Sequence, residues 1–85
     1  MEAFRYVIKD ELGIHARPAA LLVKEAEKWK SRVTLDNGGK KADAKKLLAI
    51  MSVGVKHGQE VTVTVEGEDE ADCVISLQQF FAEHL

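Results

Sequence analysis

The segment Glu60-Val61-Thr62-Val63-Thr64-Val65-Glu66 alternates apolar and polar side chains without a break. Only a pleated strand, with its two-residue period, puts the three valines on one face and the two threonines on the other; a helix would scatter them around its axis. A strand with one apolar face needs sheet neighbours beside it and a second layer over that face. In 85 residues there is room for one small sheet, two or three covering helices and a single core, so residues 1–85 read as one domain. With 46% hydrophobic and 31% charged residues, the chain is too apolar to stay unfolded.

The neighbours are present. Phe4, Tyr6 and Ile8 alternate with Arg5, Val7 and Lys9, which predicts a strand with one better-buried face. Arg32-Val33-Thr34-Leu35 is β-rich, and Asp36-Asn37-Gly38-Gly39 predicts a hairpin into a short return strand from Lys40 to Asp43. Between these lies a helical pattern from Ala16 to about Trp29, with Ala19, Leu22, Val23, Ala26 and Trp29 opposite Lys24, Glu25 and Lys28. Lys45 to Val53 predicts a second, shorter helix stopped by Gly54. After Gly67, the acids Glu68, Asp69 and Glu70 place negative charge where the dipole of a last helix favours it. In that helix Asp72, Ser76, Gln79 and Glu83 form a polar stripe opposite Val74, Leu77, Phe81 and Leu85. The order is β-α-β-β-α-β-α, an α+β arrangement of a four-stranded antiparallel sheet with three helices on one face and the other face partly solvated.

Several function classes fall away. A single cysteine, Cys73, cannot form an internal disulfide, and it reads as a small residue flanking the last helix's apolar face. The start of the chain lacks the apolar core of a signal peptide, and the longest apolar run, Leu47 to Met51, is far short of a membrane span. A cytoplasmic protein that does not insert into membranes is the expectation. Trp29, between Lys28 and Lys30, is the one aromatic residue among the lysines, which argues against nucleic acid as a partner. His57, in a turn, and His84, in the last helical turn, have no companions resembling a metal site, so neither metal nor cofactor is expected. Gly38-Gly39 lacks the strand-to-helix setting of a nucleotide loop, and Trp29 reads as a helix-end packing residue.

The net charge of −2 conceals a segregation. Residues 1–23 balance, residues 24–57 carry nine basic and four acidic side chains, and residues 58–85 carry seven acids and neither lysine nor arginine. The middle of the chain is thus equipped to attract acidic surfaces.

The stretch with chemical content is Gly13-Ile14-His15-Ala16-Arg17-Pro18-Ala19-Ala20, where a loop enters the first helix. With His15 at the N-cap, Ala16, Arg17 and Pro18 form the first turn, whose backbone N–H groups have no intrahelical partner and can face an anion. Pro18 loses no hydrogen bond there, although it biases Arg17 away from the helical region and predicts an irregular first turn. Arg17 supplies a forked, permanently charged donor suited to phosphate oxygens. Imidazole is nucleophilic when neutral, so His15 can accept a phosphoryl group while Arg17 and the Ala16 and Arg17 amides receive the added charge. A histidine before a helix is more commonly a plain surface or capping residue, and spacing alone does not decide between the two.

Residues 13–19, Gly-Ile-His-Ala-Arg-Pro-Ala, closely resemble the active-site segment of HPr, the histidine-containing phosphocarrier of the bacterial phosphoenolpyruvate-dependent sugar phosphotransferase system. The resemblance continues through Ile50-Met51-Ser52-Val53-Gly54-Val55 and His57-Gly58-Gln59-Glu60-Val61-Thr62-Val63, and so spans essentially the whole chain. It implies the open-faced β-sandwich. It also implies phosphorylation of His15 through Nδ1, assistance by Arg17, a backbone contribution from Ala16, and a first turn shaped by Pro18. The implied partners are enzyme I as donor and the A domains of sugar permeases as acceptors, with the carrier a monomer and a protein substrate of enzymes rather than a free-standing enzyme. The second helix is more apolar than a core face requires: Ile50 is expected to pack inward, while Leu47, Leu48 and Met51 form a docking patch extended by Ala20 and Lys24. Where many Gram-positive relatives carry a regulatory serine, this chain has Lys46, which has no hydroxyl and the charge opposite to a phosphoserine's. Nothing around Ser52 makes it a substitute. Two alternatives stay open: a regulatory module of the same fold whose targets sense the state of His15, and a paralogue serving a nitrogen-related or dihydroxyacetone-linked relay.

Overall fold

The computed structural model describes residues 1–85 and orders them as β1 (Glu2–Val7), α1 (Ala16–Glu27), β2 (Arg32–Asn37), β3 (Lys40–Asp43), α2 (Leu47–Ser52), β4 (Glu60–Glu66) and α3 (Glu70–His84). The strands form one antiparallel sheet in the order β1-β4-β2-β3, so the alternating segment β4 is an inner strand. Its three valines are buried and its threonines half-buried on the other face. Register carries the pattern across the sheet: Phe4 pairs with Val63, Val63 with Leu35, and Leu35 with Ala42, one apolar row beneath the helices. The adjacent row on the open face, Arg5, Thr62, Asp36 and Lys41, is polar throughout. The three helices cover the apolar face, as the periodicities require.

Phe81 is the largest side chain that is wholly buried. It meets Phe4, Tyr6 and Phe80 edge-on at centroid separations of 5.5, 5.6 and 6.0 Å, the geometry ring quadrupoles favour. Cys73 lies within this core and not on its flank, a correction to the sequence expectation that reflects the wider buried face of α3, which also includes Phe80. Burial, with the Asp69 charge adding, pushes its thiol up to about 11, which keeps it a protonated packing residue at neutral pH.

Boundaries differ from expectation where side chains bond to nearby backbone. α2 begins at Leu47 and not Lys45, because Asp43 holds the preceding turn: its Oδ1 accepts the Lys45 N–H at 2.9 Å and its carbonyl accepts the Lys46 N–H at 3.0 Å. Asn37 belongs to β2, leaving Gly38 and Gly39 as a two-residue hairpin loop with positive φ at both positions. Arg17 lies within α1 despite the bias its proline imposes; burial of Pro18 and Ala19 against the core outweighs it. Asp69 occupies the N-cap position of α3, but its carboxylate makes no cap there. It accepts the Lys30 N–H at 2.9 Å, the Ser31 N–H at 3.0 Å and the Ser31 hydroxyl, tying α3 to the lead-in of β2.

Candidate functional site

Gly13 shapes the loop that delivers His15. Its φ is +69°, and a Cβ added there would stand 2.3 Å from the Val55 carbonyl oxygen and 2.7 Å from the Lys56 Cα, so only glycine fits. The Asp10–Gly13 turn closes through Gly13 N–H to Asp10 O at 2.9 Å, and Ile14 N–H then pairs with Val55 O at 3.1 Å. His15 follows as the N-cap of α1 in extended conformation, φ −90° and ψ −173°, and its carbonyl accepts the Ala19 N–H at 3.0 Å. Its side chain makes no capping hydrogen bond, so the ring is free of the commonest structural duty of a residue in that place.

The first turn of α1 leaves the Ala16 and Arg17 N–H groups without intrahelical acceptors, and Pro18 has none to place. Arg17 is exposed and enters none of the ion pairs. His15, Arg17, Pro18, Leu21, Asp10 and His84 line one cleft of about 220 Å³, smaller than the pockets that enclose whole small-molecule ligands. A site of that size, open to solvent and bordered by a cation, suits a transferable group presented by another protein. A larger groove of about 470 Å³ is lined by Lys30, Arg32, Asp43, Lys45 and Glu66, with no apolar wall; it contains none of the residues singled out by the motif.

Three of the cleft residues, Asp10, Leu21 and His84, were not among the sequence candidates. Asp10 Oδ2 lies 3.7 Å from His15 Nε2. The sequence signal was the turn itself, with Asp at its first position and Gly at its fourth. His84 joins by tertiary packing: the Leu85 main-chain oxygen accepts the Lys9 and Asp10 N–H groups at 2.6 and 2.9 Å, docking the end of α3 onto the loop. His84 also lies against Phe80, with ring centroids 4.7 Å apart. No local pattern announces that meeting. His57 is exposed, and its Nδ1 approaches the Asp10 carbonyl at 3.3 Å.

α2 packs beside α1. Ile50 is buried as expected, whereas Leu47, Leu48 and Met51 are 39%, 81% and 41% exposed, an apolar patch without cover. Ala20 is half-buried and Lys24 exposed on α1. Lys46 is the exposed N-cap of α2, and the Ser52 hydroxyl donates to the Ala49 carbonyl at 2.7 Å, within its own helix. Lys45, by contrast, turns inward: its Nζ donates to the Trp29 carbonyl at 2.8 Å, just beyond the end of α1.

A family model described as the PTS HPr component phosphorylation site matches residues 3–83. The chain belongs to the HPr family. Solved structures agree. The histidine-containing phosphocarrier protein of a Mycoplasma is 32% identical, with 96% of this chain and 93% of that one covered at a TM-score of 0.93. HPr of Thermoanaerobacter tengcongensis is 37% identical, with coverages of 99% and 94% and a TM-score of 0.93. Crh of Bacillus subtilis, a catabolite repression protein solved as a swapped dimer, is 38% identical, with coverages of 100% and 98% and a TM-score of 0.78. The open sheet with three helices is thus the HPr fold, shared by the HPr phosphocarrier family of the phosphotransferase system to which the chain belongs.

Proposed function

We propose that His15 accepts a phosphoryl group on Nδ1 from phosphorylated enzyme I, itself charged by phosphoenolpyruvate, and passes it to the A domains of sugar permeases in the cytoplasm. The observation that carries this reading is the seating of His15: an imidazole with no capping duty, at the mouth of a helix turn with unpaired N–H groups, in a cleft shared with the unpaired Arg17. Arg17 and the Ala16 and Arg17 amides receive phosphate oxygens during transfer, and their exposure to solvent keeps the phosphate releasable. Leu47, Leu48 and Met51, with Ala20 and Lys24, form the surface on which partners dock. The carrier acts as a monomer; sedimentation at micromolar concentration is expected to give a single species of 9.4 kDa.

Incubation with phosphoenolpyruvate and enzyme I is expected to add one acid-labile phosphate, seen by mass spectrometry, and His15→Ala to add none. Uptake of that phosphate by His15→Ala would place the site elsewhere. The likeness to Crh supports a second reading, a regulatory module whose targets sense the state of His15. That reading predicts a stable complex with a transcription factor or enzyme, governed by phosphorylation, where the carrier reading predicts rapid exchange of phosphate with enzyme I and a permease A domain.

A further inference from the structure

Asp10 is held on nearly every side. Its N–H donates to the Leu85 main-chain oxygen at 2.9 Å, its carbonyl accepts the Gly13 N–H at 2.9 Å, and the His57 ring approaches that carbonyl at 3.3 Å. Of its carboxylate, Oδ1 accepts the Leu12 N–H at 2.9 Å. The remaining oxygen, Oδ2, faces His15 Nε2 at 3.7 Å, with the two side chains 28% and 36% exposed. That is an ion-pair separation and longer than a hydrogen bond, but catalytic contacts are commonly long in a resting site and tighten when the partner docks.

We infer that Asp10 is a positioning residue for His15: its fixed carboxylate holds the ring proton on Nε2 and so leaves the Nδ1 lone pair for phosphorus. The inference rests on the reading of His15 as phosphoryl acceptor. Which ring nitrogen of a histidine carries the proton is set by the partner of the other nitrogen. An anion near Nε2 stabilises the Nε2–H tautomer. As the Nδ1 lone pair forms its bond to phosphorus, the bond from phosphorus to the donor's leaving atom breaks, and its electron pair returns to the donor. No proton moves. The His15 ring becomes a phosphoimidazolium whose positive charge is shared with Nε2–H, facing the Asp10 carboxylate. In the onward step a nucleophile of the acceptor forms its bond to phosphorus as the N–P bond breaks, the electron pair of that bond returns to Nδ1, and the same proton stays on Nε2. Arg17 and His84 line the same cleft, but guanidinium only donates and so cannot accept from Nε2, and His84 makes no ion pair with His15.

Asp10→Asn isolates this role. The Leu12 N–H keeps the amide oxygen in the place of Oδ1, so the amide NH₂ replaces Oδ2 and offers a donor to His15 Nε2. Nε2 must then accept, and the proton goes to Nδ1, the nitrogen that has to attack. The expected results are transfer from phosphorylated enzyme I slowed about tenfold or more, and a ¹⁵N–¹H ring spectrum in which neutral His15 changes from the Nε2–H to the Nδ1–H form. Asp10→Ala, which imposes neither tautomer, is expected to transfer faster than Asp10→Asn. A wild-type tautomer in Asp10→Asn, an unchanged rate, or Asp10→Ala as slow as Asp10→Asn would each overturn the inference, the last by tracing the effect to the lost negative charge, which both variants share, and not to the tautomer. These outcomes leave the reading of His15 standing as long as the phosphate still maps to it; only phosphate uptake by His15→Ala removes that reading.

Discussion

At the scale of single residues, Gly13 decides whether His15 can be presented at all. Its positive φ costs an L side chain roughly 1–2 kcal/mol, and the added methyl would collide with backbone at Val55 and Lys56, which cannot rotate away. Gly13→Ala is therefore expected to lower stability by about 3 kcal/mol or more, as a shift of the urea midpoint at constant slope. A loss below about 0.5 kcal/mol would mean that the 13–15 and 55–56 segments separate at little cost. Within the core, Phe81→Ala removes a wholly buried ring and its three edge contacts, for an expected loss of about 3–5 kcal/mol in the same measurement. The motif made His15, Ala16, Arg17 and Pro18 legible because one short stretch of chain carries them. Asp10 was only half legible: its turn could be read from the sequence, but the direction of its second carboxylate oxygen depends on the first being taken by Leu12. His84 was not legible, since it reaches the cleft through the packing of α3 on a loop some seventy residues earlier.

At the scale of elements, hydrophobic period together with turn residues predicted the seven segments and their order, the short β3 coming from the hairpin signal at Asp36 to Gly39 and not from a period of its own. What period could not predict is how polar side chains join the elements. Glu25 of α1 is the main example. Its Oε2 accepts the Ser76 hydroxyl of α3 at 2.7 Å and the Trp29 indole N–H at 3.4 Å, while Oε1 accepts from Lys28 at 3.2 Å. The wheel of α3 placed Ser76 on a polar stripe; the structure half-buries it and bonds it to α1. The Ser76 hydroxyl, helped by Lys28 and Trp29 and opposed by burial, holds the Glu25 carboxyl below its ordinary 4.5. A carboxyl lowered in the folded state contributes stability above its unfolded value, and loses it as pH falls through the folded one. Ser76→Ala is thus expected to cost about 1 kcal/mol near pH 7, with the gap to wild type closing as the pH drops below 4.5. Unfolding curves for both proteins at neutral and acid pH check this; a gap unchanged at pH about 2.5 would show that the carboxylate's ionisation is not coupled to the α1–α3 junction.

At the scale of the whole molecule, the uneven charge along the chain becomes a division of labour. In the acidic last third, Glu70 is paired with the Met1 amino group and Asp69 is occupied by Ser31 and Lys30, so part of that charge holds the fold together. In the basic middle third, Lys45 and Lys28 are likewise engaged, by Trp29 and Glu25, whereas Lys24 and Lys46 are exposed and outside every ion pair. These two, with Arg17, sit on the adjoining helices α1 and α2 that also present Leu48. Such a surface combines an apolar contact with positive steering, and the two contributions separate experimentally. Leu48→Ala removes a side chain that is four-fifths exposed, so stability should stay within about 0.5 kcal/mol, while affinity for enzyme I falls about tenfold, or ~1.4 kcal/mol. Lys46→Ser should act on the other contribution. Between about 0.05 and 0.5 M salt, screening is expected to weaken binding of enzyme I to wild type, and Lys46→Ser should flatten that dependence by weakening the low-salt complex most. Parallel salt curves for the two proteins would remove Lys46 from the docking face and leave its place at the head of α2 to local helix geometry alone.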